Sequence, residues 1–251
     1  IIKSFVDGAT TTQVLKGIDF FVTEGEFVAI MGRSGAGKST LLYQLSLLDV
    51  PTSGSITLLG DNVDSFSNSE KTEFRLYKLG YVFQDYSLLP ELTAVENVMV
   101  PLLMQGVKKS DAKKLAQEAL LSVDLQNKEN NLPSELSGGE QQRVSIARAI
   151  IHKPKILFAD EPTANLDLTS SHAVMDIFRK LNKEQGITVV MVTHEEDIAA
   201  YAQRRLRFRD GHIVADERTP DARASALTAT TVWDRSGICA STLASRTPGV
   251  P

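Results

Sequence analysis

Three short runs along the chain are apolar at nearly every position. They are Phe27-Val28-Ala29-Ile30-Met31, Lys155-Ile156-Leu157-Phe158-Ala159 and Ile187-Thr188-Val189-Val190-Met191-Val192. Runs this short, without alternation and rich in branched side chains, suit strands covered on both faces of a sheet. Between them the apolar spacing becomes that of a helix. Residues 39–48 carry one such pattern. Residues 110–123 carry another, with Ala112, Leu115, Ala116, Ala119, Leu120 and Val123 on one face. Residues 169–184 carry a third, with Gly186 as a stop signal. Strands alternating with helices predict an α/β fold, with a mainly parallel sheet flanked by helices on both faces.

Residues 85–149 break this alternation. They read as mainly helical and lack comparable strands, which predicts a helical subdomain inserted into the α/β core. The stretch before the first apolar run is expected to be β-rich. The expected organisation is a single domain over residues 1–218, with its core formed by 1–84 and 150–218. No internal repeat is visible, so one copy of this unit is expected. From 219 to 251 the pattern dissolves into Ala, Thr, Ser, Arg and Pro, and the only tryptophan (Trp233) and only cysteine (Cys239) lie there. Such a tail reads either as a docking segment for a partner or as a weakly ordered or non-native extension, and its composition favours the second.

Composition narrows the partners. The 251 residues carry 27 basic and 31 acidic side chains, for a net charge of -4. A mildly acidic chain is a poor non-specific nucleic-acid binder, because phosphate neutralisation needs an excess of Lys and Arg. One cysteine allows no internal disulfide, which suits a reducing compartment. A membrane-spanning helix needs about 18 or more apolar residues in a row. The longest apolar stretch, 98–107, is shorter and contains Pro101, Gln105 and Gly106, so no span is expected. No signal peptide is recognisable.

The first apolar run opens into Gly32-Arg33-Ser34-Gly35-Ala36-Gly37-Lys38-Ser39-Thr40, which fits G-x-x-x-x-G-K-[ST] in full. Glycines let the backbone bend until successive N–H groups point inward at phosphate oxygens. The following helix adds its positive N-terminal end. Lys38 supplies a full charge for the β- and γ-phosphates, and the Ser39 hydroxyl is suited to Mg²⁺. This predicts a P-loop core that binds a nucleoside triphosphate, without separating kinases, GTPases and motor ATPases.

A second motif narrows the class. Leu136-Ser137-Gly138-Gly139-Glu140, followed by Gln141-Gln142-Arg143, places a hydroxyl and two glycine amides where a helix begins, which makes a second anion site. It resembles the signature of ATP-binding cassette proteins, usually LSGGQ, with Glu140 in place of glutamine. The resemblance covers roughly residues 1–218. It implies that Ser137, Gly138 and Gly139 face a γ-phosphate bound by another subunit. It also implies that Asp160, in Ile156-Leu157-Phe158-Ala159-Asp160-Glu161, holds Mg²⁺, and that Glu161 orients the attacking water as base. Pro162-Thr163-Ala164-Asn165-Leu166-Asp167 is similar to the family's D-loop, with Ala164 where glycine is common, and Asp167 would reach the partner subunit. His194, in Val192-Thr193-His194-Glu195, resembles the switch histidine that contacts γ-phosphate. Gln84, in Tyr81-Val82-Phe83-Gln84-Asp85, matches the Q-loop glutamine, which ligates Mg²⁺ or water. Phe5 is the best candidate for stacking on adenine, with a core phenylalanine on an N-terminal strand as the less favoured reading.

One such cassette holds two half-sites on opposite faces. The resemblance therefore implies a second copy, head to tail, with Lys38 of one facing Ser137 of the other. Closure on ATP and opening after hydrolysis would move integral membrane permease subunits from the cytoplasmic face of the membrane. Residues 25–32, 48–54, 81–84 and 92–98 are similar to the subfamily of macrolide exporters, lipoprotein-releasing systems, bacitracin-type peptide resistance transporters and the cell-division cassette. The alternative is a cassette ATPase acting on a non-transport partner, in DNA repair, chromosome structure or translation. Long coiled coils or a second cassette mark those classes, and neither is visible here.

Overall fold

The first two strands form an antiparallel hairpin, β1 (Ile2–Asp7) against β2 (Thr10–Lys16). Most of its positions face solvent, but Leu15 is fully buried and ties the hairpin to the core. The computed structural model describes residues 1–8 and 10–219. Trp233, Cys239 and the tail from 220 onward lie outside the described residues.

The three apolar runs are strands, each shifted by no more than one residue from expectation. β3 (Phe27–Met31) matches the first run. The short ladder of β4 (Thr57–Leu58) and β5 (Asp61–Asn62) and the outer strand β6 (Leu79–Val82) come next in the chain. β7 (Ile156–Asp160) and β8 (Thr188–Thr193) follow, and, like β3, both are buried at every position. β9 (Arg204–Arg209) and β10 (His212–Arg218) finish the described chain. The main sheet has the order β10-β9-β3-β8-β7-β6. Within it β3 is parallel to both β8 and β9, and β7 to both β6 and β8.

Side chains alternate across this sheet and divide the core in two. Phe27, Ala29, Met31, Leu157, Ala159, Val189 and Met191 face one cluster. Val28, Ile30, Ile156, Phe158, Val190, Val192 and Leu206 face the other. Period-two geometry on strands with no polar face explains why each run reads as continuous apolar sequence.

α1 (Lys38–Leu45) covers the second cluster through Leu41 and Leu42. It ends three residues earlier than the pattern predicts. Leu47 adopts φ 61, which turns the chain yet keeps that side chain at 6% exposure while Leu48 is left at 47%. α2 (Asn68–Lys78) has no buried residue, so no apolar stripe announces it. Its sequence signal is the Ser67–Glu70 capping box instead.

α3 (Ala94–Met104), α4 (Lys109–Leu121) and α5 (Gly138–Ile150) fill most of 85–149, and no named strand lies there. On α4, Ala112, Ala116 and Leu120 are fully buried, but Leu115 is 39% exposed. At 100° per residue, position 115 sits at the edge of the stripe that the other three define. α6 (Leu168–Gln185) ends at Gly186 in the left-handed conformation, as its stop signal predicts, and α7 (Glu196–Ala199) follows β8.

One buried charge staples the edge of the sheet. The Arg204 guanidinium, 1% exposed on β9, donates to both carboxylate oxygens of Asp216 on β10 at 2.7 and 2.6 Å. It also donates to the Phe21 carbonyl at 2.8 Å and lies 3.4 Å from a Glu26 carboxylate oxygen before β3. Removing the arginine takes the guanidinium away from the 9%-exposed Glu26 carboxylate, while Asp216, 46% exposed, keeps solvent. Arg204→Met should lower unfolding free energy by about 3 kcal/mol in urea titrations. Arg179→Met, which breaks the solvent-exposed Arg179–Asp176 pair, should change it by less than about 0.5 kcal/mol.

Candidate nucleotide site

The carboxyl ends of parallel strands form one edge, and in α/β folds ligands bind outside that edge. β3 stops at Met31 and α1 begins at Lys38, so residues 32–37 must reverse the chain between them. The turn depends on Gly37. Its φ is 100, and a Cβ there would lie 2.9 Å from Val14 Cγ1 on β2. The hairpin thus packs directly on the loop. Lys38 is only 4% exposed. Its ammonium donates to the Arg33 carbonyl at 3.2 Å and lies 3.3 Å from Glu161 Oε1. Gly32, Ser34, Gly35, Glu161, His194 and Arg207 line an open cleft of about 890 Å³ beside the loop.

Ser39 and the end of β7 meet on the inner side. The Ser39 hydroxyl donates to Asp160 Oδ1 at 2.9 Å, and the Tyr81 hydroxyl donates to Oδ2 at 3.4 Å. Burial raises the Asp160 pKa, and the neighbouring Glu161 charge pushes the same way; Ser39, Tyr81 and Lys38 oppose them. Burial also drives the Tyr81 phenol far above its ordinary range, so it stays a neutral donor.

Glu161 has φ 42, a strained conformation for a residue with a side chain. Its backbone N–H donates to the Val192 carbonyl at 3.1 Å. The bend turns its carboxylate toward two partners. Oε1 faces Lys38, and Oε2 lies 3.1 Å from His194 Nδ1, just beyond β8. Lys38, Ser39, Asp160, Glu161 and His194, spread over more than 150 positions of sequence, are one connected cluster.

The remaining candidates form a second group. Gln84 is exposed just past β6, and its carbonyl accepts from the Asn165 amide at 3.3 Å. Tyr86 and Ser87 both have positive φ, and Arg148 on α5 donates to their carbonyls at 2.9 and 2.6 Å. Ser137 caps α5, and its Oγ accepts from the Glu140 N–H at 3.3 Å. Gly139 packs on α6: a Cβ there would lie 2.9 Å from Ser170 Cβ. Asp167 caps α6, accepting from the Ser170 N–H and hydroxyl at 3.0 and 2.6 Å. Those bonds, the hydroxyl's first, hold its pKa down. Among the described residues no hydrogen bond or ion pair joins 137–139 to 32–40. Within one chain, the loop and the signature are separate groups.

Phe5 lies on β1 at 47% exposure, with the Lys3 ammonium 5.1 Å from its ring centre. It is not among the buried core residues. Sequence reasoning missed Tyr81, Gln142 and Arg148. Gln142 is fully buried on α5 and donates to the Pro162 carbonyl at 2.8 Å. The carbonyls that Arg148 holds lie 61 and 62 residues away in the chain. No local pattern connects such pairs.

Known proteins match this arrangement. The sequence profile of the ABC transporter family matches residues 15–164. The chain is 49% identical over 214 residues to the lipoprotein-releasing system ATP-binding protein LolD of Geobacter metallireducens, covering 85% of this chain and 95% of that one. It is 46% identical over 236 residues to the macrolide export ATP-binding/permease protein MacB of Chlorobium phaeobacteroides, covering 94% of this chain and 36% of the longer protein. Among solved structures, a dimeric ATP-binding cassette in a post-hydrolysis state with ADP and Pi superposes with a TM-score of 0.82 at 39% identity, covering 87% of this chain and 96% of that one. With that match and the site geometry together, the chain belongs to the ABC transporter family and is an ATP-binding cassette ATPase.

Proposed function

We propose that the chain works as a pair of identical cassettes whose ATP-driven closure moves separate integral membrane permease subunits. The observation that carries the ATP-hydrolysing step is the carboxylate of Glu161, bridged between Lys38 and His194 beside the Ser39–Asp160 hydrogen bond. Residues 32–40 wrap the phosphates, with backbone N–H groups of Gly35 and Gly37 and the side chains of Lys38, Ser39 and Thr40 turned to them. Glu161 lies against the Lys38 ammonium; a γ-phosphate would compete for that charge and free the carboxylate. Glu161 then accepts a proton from the attacking water, and His194 donates to the γ-phosphate. Phe5 stacks on adenine from the hairpin that packs on the loop.

Mg²⁺ suits the oxygen donors present. Ser39 and Asp160 already converge at 2.9 Å, with Gln84 as the third candidate ligand. Among the described residues no three His, Cys, Asp or Glu side chains converge on a metal position, and Mg²⁺ with phosphates needs only one or two protein ligands. Bound there, it would neutralise charge developing on the β- and γ-phosphates.

The domain works as one cassette over 1–218, with 85–149 as the helical arm that carries Ser137, Gly138 and Gly139. Because one chain holds its loop and signature apart, two copies head to tail complete two sites. Asp167 reaches the opposite copy. No helix among the described residues is long and apolar enough to cross a membrane. The relatives named for lipoprotein release and macrolide export point to membrane subunits as partners, with this chain peripheral at the cytoplasmic face. Export, or lipoprotein or peptide handling, is the process.

Glu161→Gln should reduce kcat by about 100- to 10,000-fold while keeping ATP affinity. The variant with ATP should elute as a dimer on a sizing column, where the parent dimerises only transiently. Lys38→Ala should abolish ATP binding. Undiminished turnover in Glu161→Gln would refute the assigned base.

Asp160 gives a pH test. Its folded pKa is raised, so the folded state holds this proton more tightly than the unfolded chain. The stability it contributes is present below the ordinary value of 3.8 and is lost as pH rises through the folded pKa. Without nucleotide, Asp160→Asn should therefore melt above the parent at neutral pH. The gap should narrow as pH falls toward the carboxylate range, as read by thermal scans across pH.

A further inference from the structure

The signature carries a carboxylate where a phosphate has to approach. Glu140 sits in the first turn of α5, three residues after Ser137. Its Oε2 accepts from the Ser137 backbone N–H at 2.8 Å, and its own N–H donates to Ser137 Oγ at 3.3 Å. This reciprocal box fixes the Ser137 side chain. Because Oγ accepts from inside the helix, its hydrogen is free to donate outward. The same box, however, puts a full negative charge within one helical turn of that hydroxyl. The Ser137 backbone bond first, and then Lys128, hold the Glu140 pKa below its ordinary range, so the charge is present at neutral pH.

Lys128 answers that charge. Its ammonium lies 3.1 Å from Glu140 Oε1, the oxygen that Ser137 does not use. The lysine comes from the loop before the signature, and that loop is anchored. The Val95 and Ala94 N–H groups at the start of α3 donate to the Glu129 and Asn131 carbonyls at 2.9 and 2.8 Å. Gln117 on α4 donates to the Glu129 carboxylate at 2.8 Å. Lys128 is thus delivered to Glu140 from a fixed base. Its side chain is 40% exposed, and surface pairs of this kind contribute little to folding. A role in stability does not account for it.

We propose that Lys128 is a positioning residue of the signature: it neutralises and orients Glu140, so that Ser137 can receive the γ-phosphate bound by the opposite copy. The role rests on the two-copy ATP site proposed above. Without the lysine, the capping carboxylate repels the incoming phosphate. With a neutral amide at position 140, the lysine has nothing to offset.

Four full-length proteins test this: the parent, Lys128→Met, Glu140→Gln and the double variant, each titrated with ATP for KM and kcat. Lys128→Met should raise KM about three- to fivefold, the range of one partly exposed ion pair, with kcat little changed. The rise should shrink as salt increases. In the Glu140→Gln background, Lys128→Met should leave KM unchanged. Melting temperatures measured alongside should agree between the parent and Lys128→Met, and between Glu140→Gln and the double variant. An equal KM shift in both backgrounds, or no shift in the parent background, overturns the role. ATP-driven dimerisation of Glu161→Gln separates the two layers. If it fails, the two-copy site falls and the lysine's role falls with it. If it succeeds while Lys128→Met has no effect, only the lysine's role is lost.

Discussion

A lysine side chain that is 4% exposed must have its ammonium met by oxygen, and most of the site follows from that requirement. The Arg33 carbonyl supplies one partner, which fixes the curl of the phosphate loop. Glu161 supplies the other, and can do so only because its backbone takes a left-handed conformation at the end of β7. That bend also brings its second carboxylate oxygen to His194. The strain at one residue and the burial of one charge therefore set the positions of three side chains.

The parallel sheet makes this economy possible. β3, β7 and β8 lie side by side and point the same way, so their carboxyl ends deliver Lys38, Asp160 with Glu161, and His194 to one edge. Burial on both faces keeps that edge rigid, because two separate apolar clusters grip alternate side chains of each strand. The helical arm is held differently. Gln142 on α5 ties it to the Pro162 carbonyl after β7, and its apolar side chains share one cluster with β3, β7 and β8 rather than pairing with the sheet.

Much of the fold was legible because its signals are local. Continuous apolar runs marked the three central strands within a residue, and Gly186 marked the end of α6. α2 escaped the periodicity because its apolar side chains, Phe74 among them, are at most partly buried, and α1 ended early because Leu47 turns inward. Leu115 was assigned to a buried face that packing leaves open at its edge. The candidate residues were found by motif, one stretch at a time. Their contacts could not be, since Tyr81 to Asp160 and Arg148 to Ser87 are pairs that only folding creates.

By itself, the sequence determined the chemistry: a glycine loop ending in Lys38 and Ser39, an acidic pair ending a strand, and a capped helix opening with Ser137. These depend on residue type and short spacing, which the chain carries whether folded or not. Tertiary structure alone decided how the charges are shared. It set Glu161 between Lys38 and His194, raised the Asp160 pKa by burying it, and brought Lys128 to Glu140 from twelve positions away. Charge pairing and desolvation depend on distance in space, and distance in space is what the linear chain does not contain.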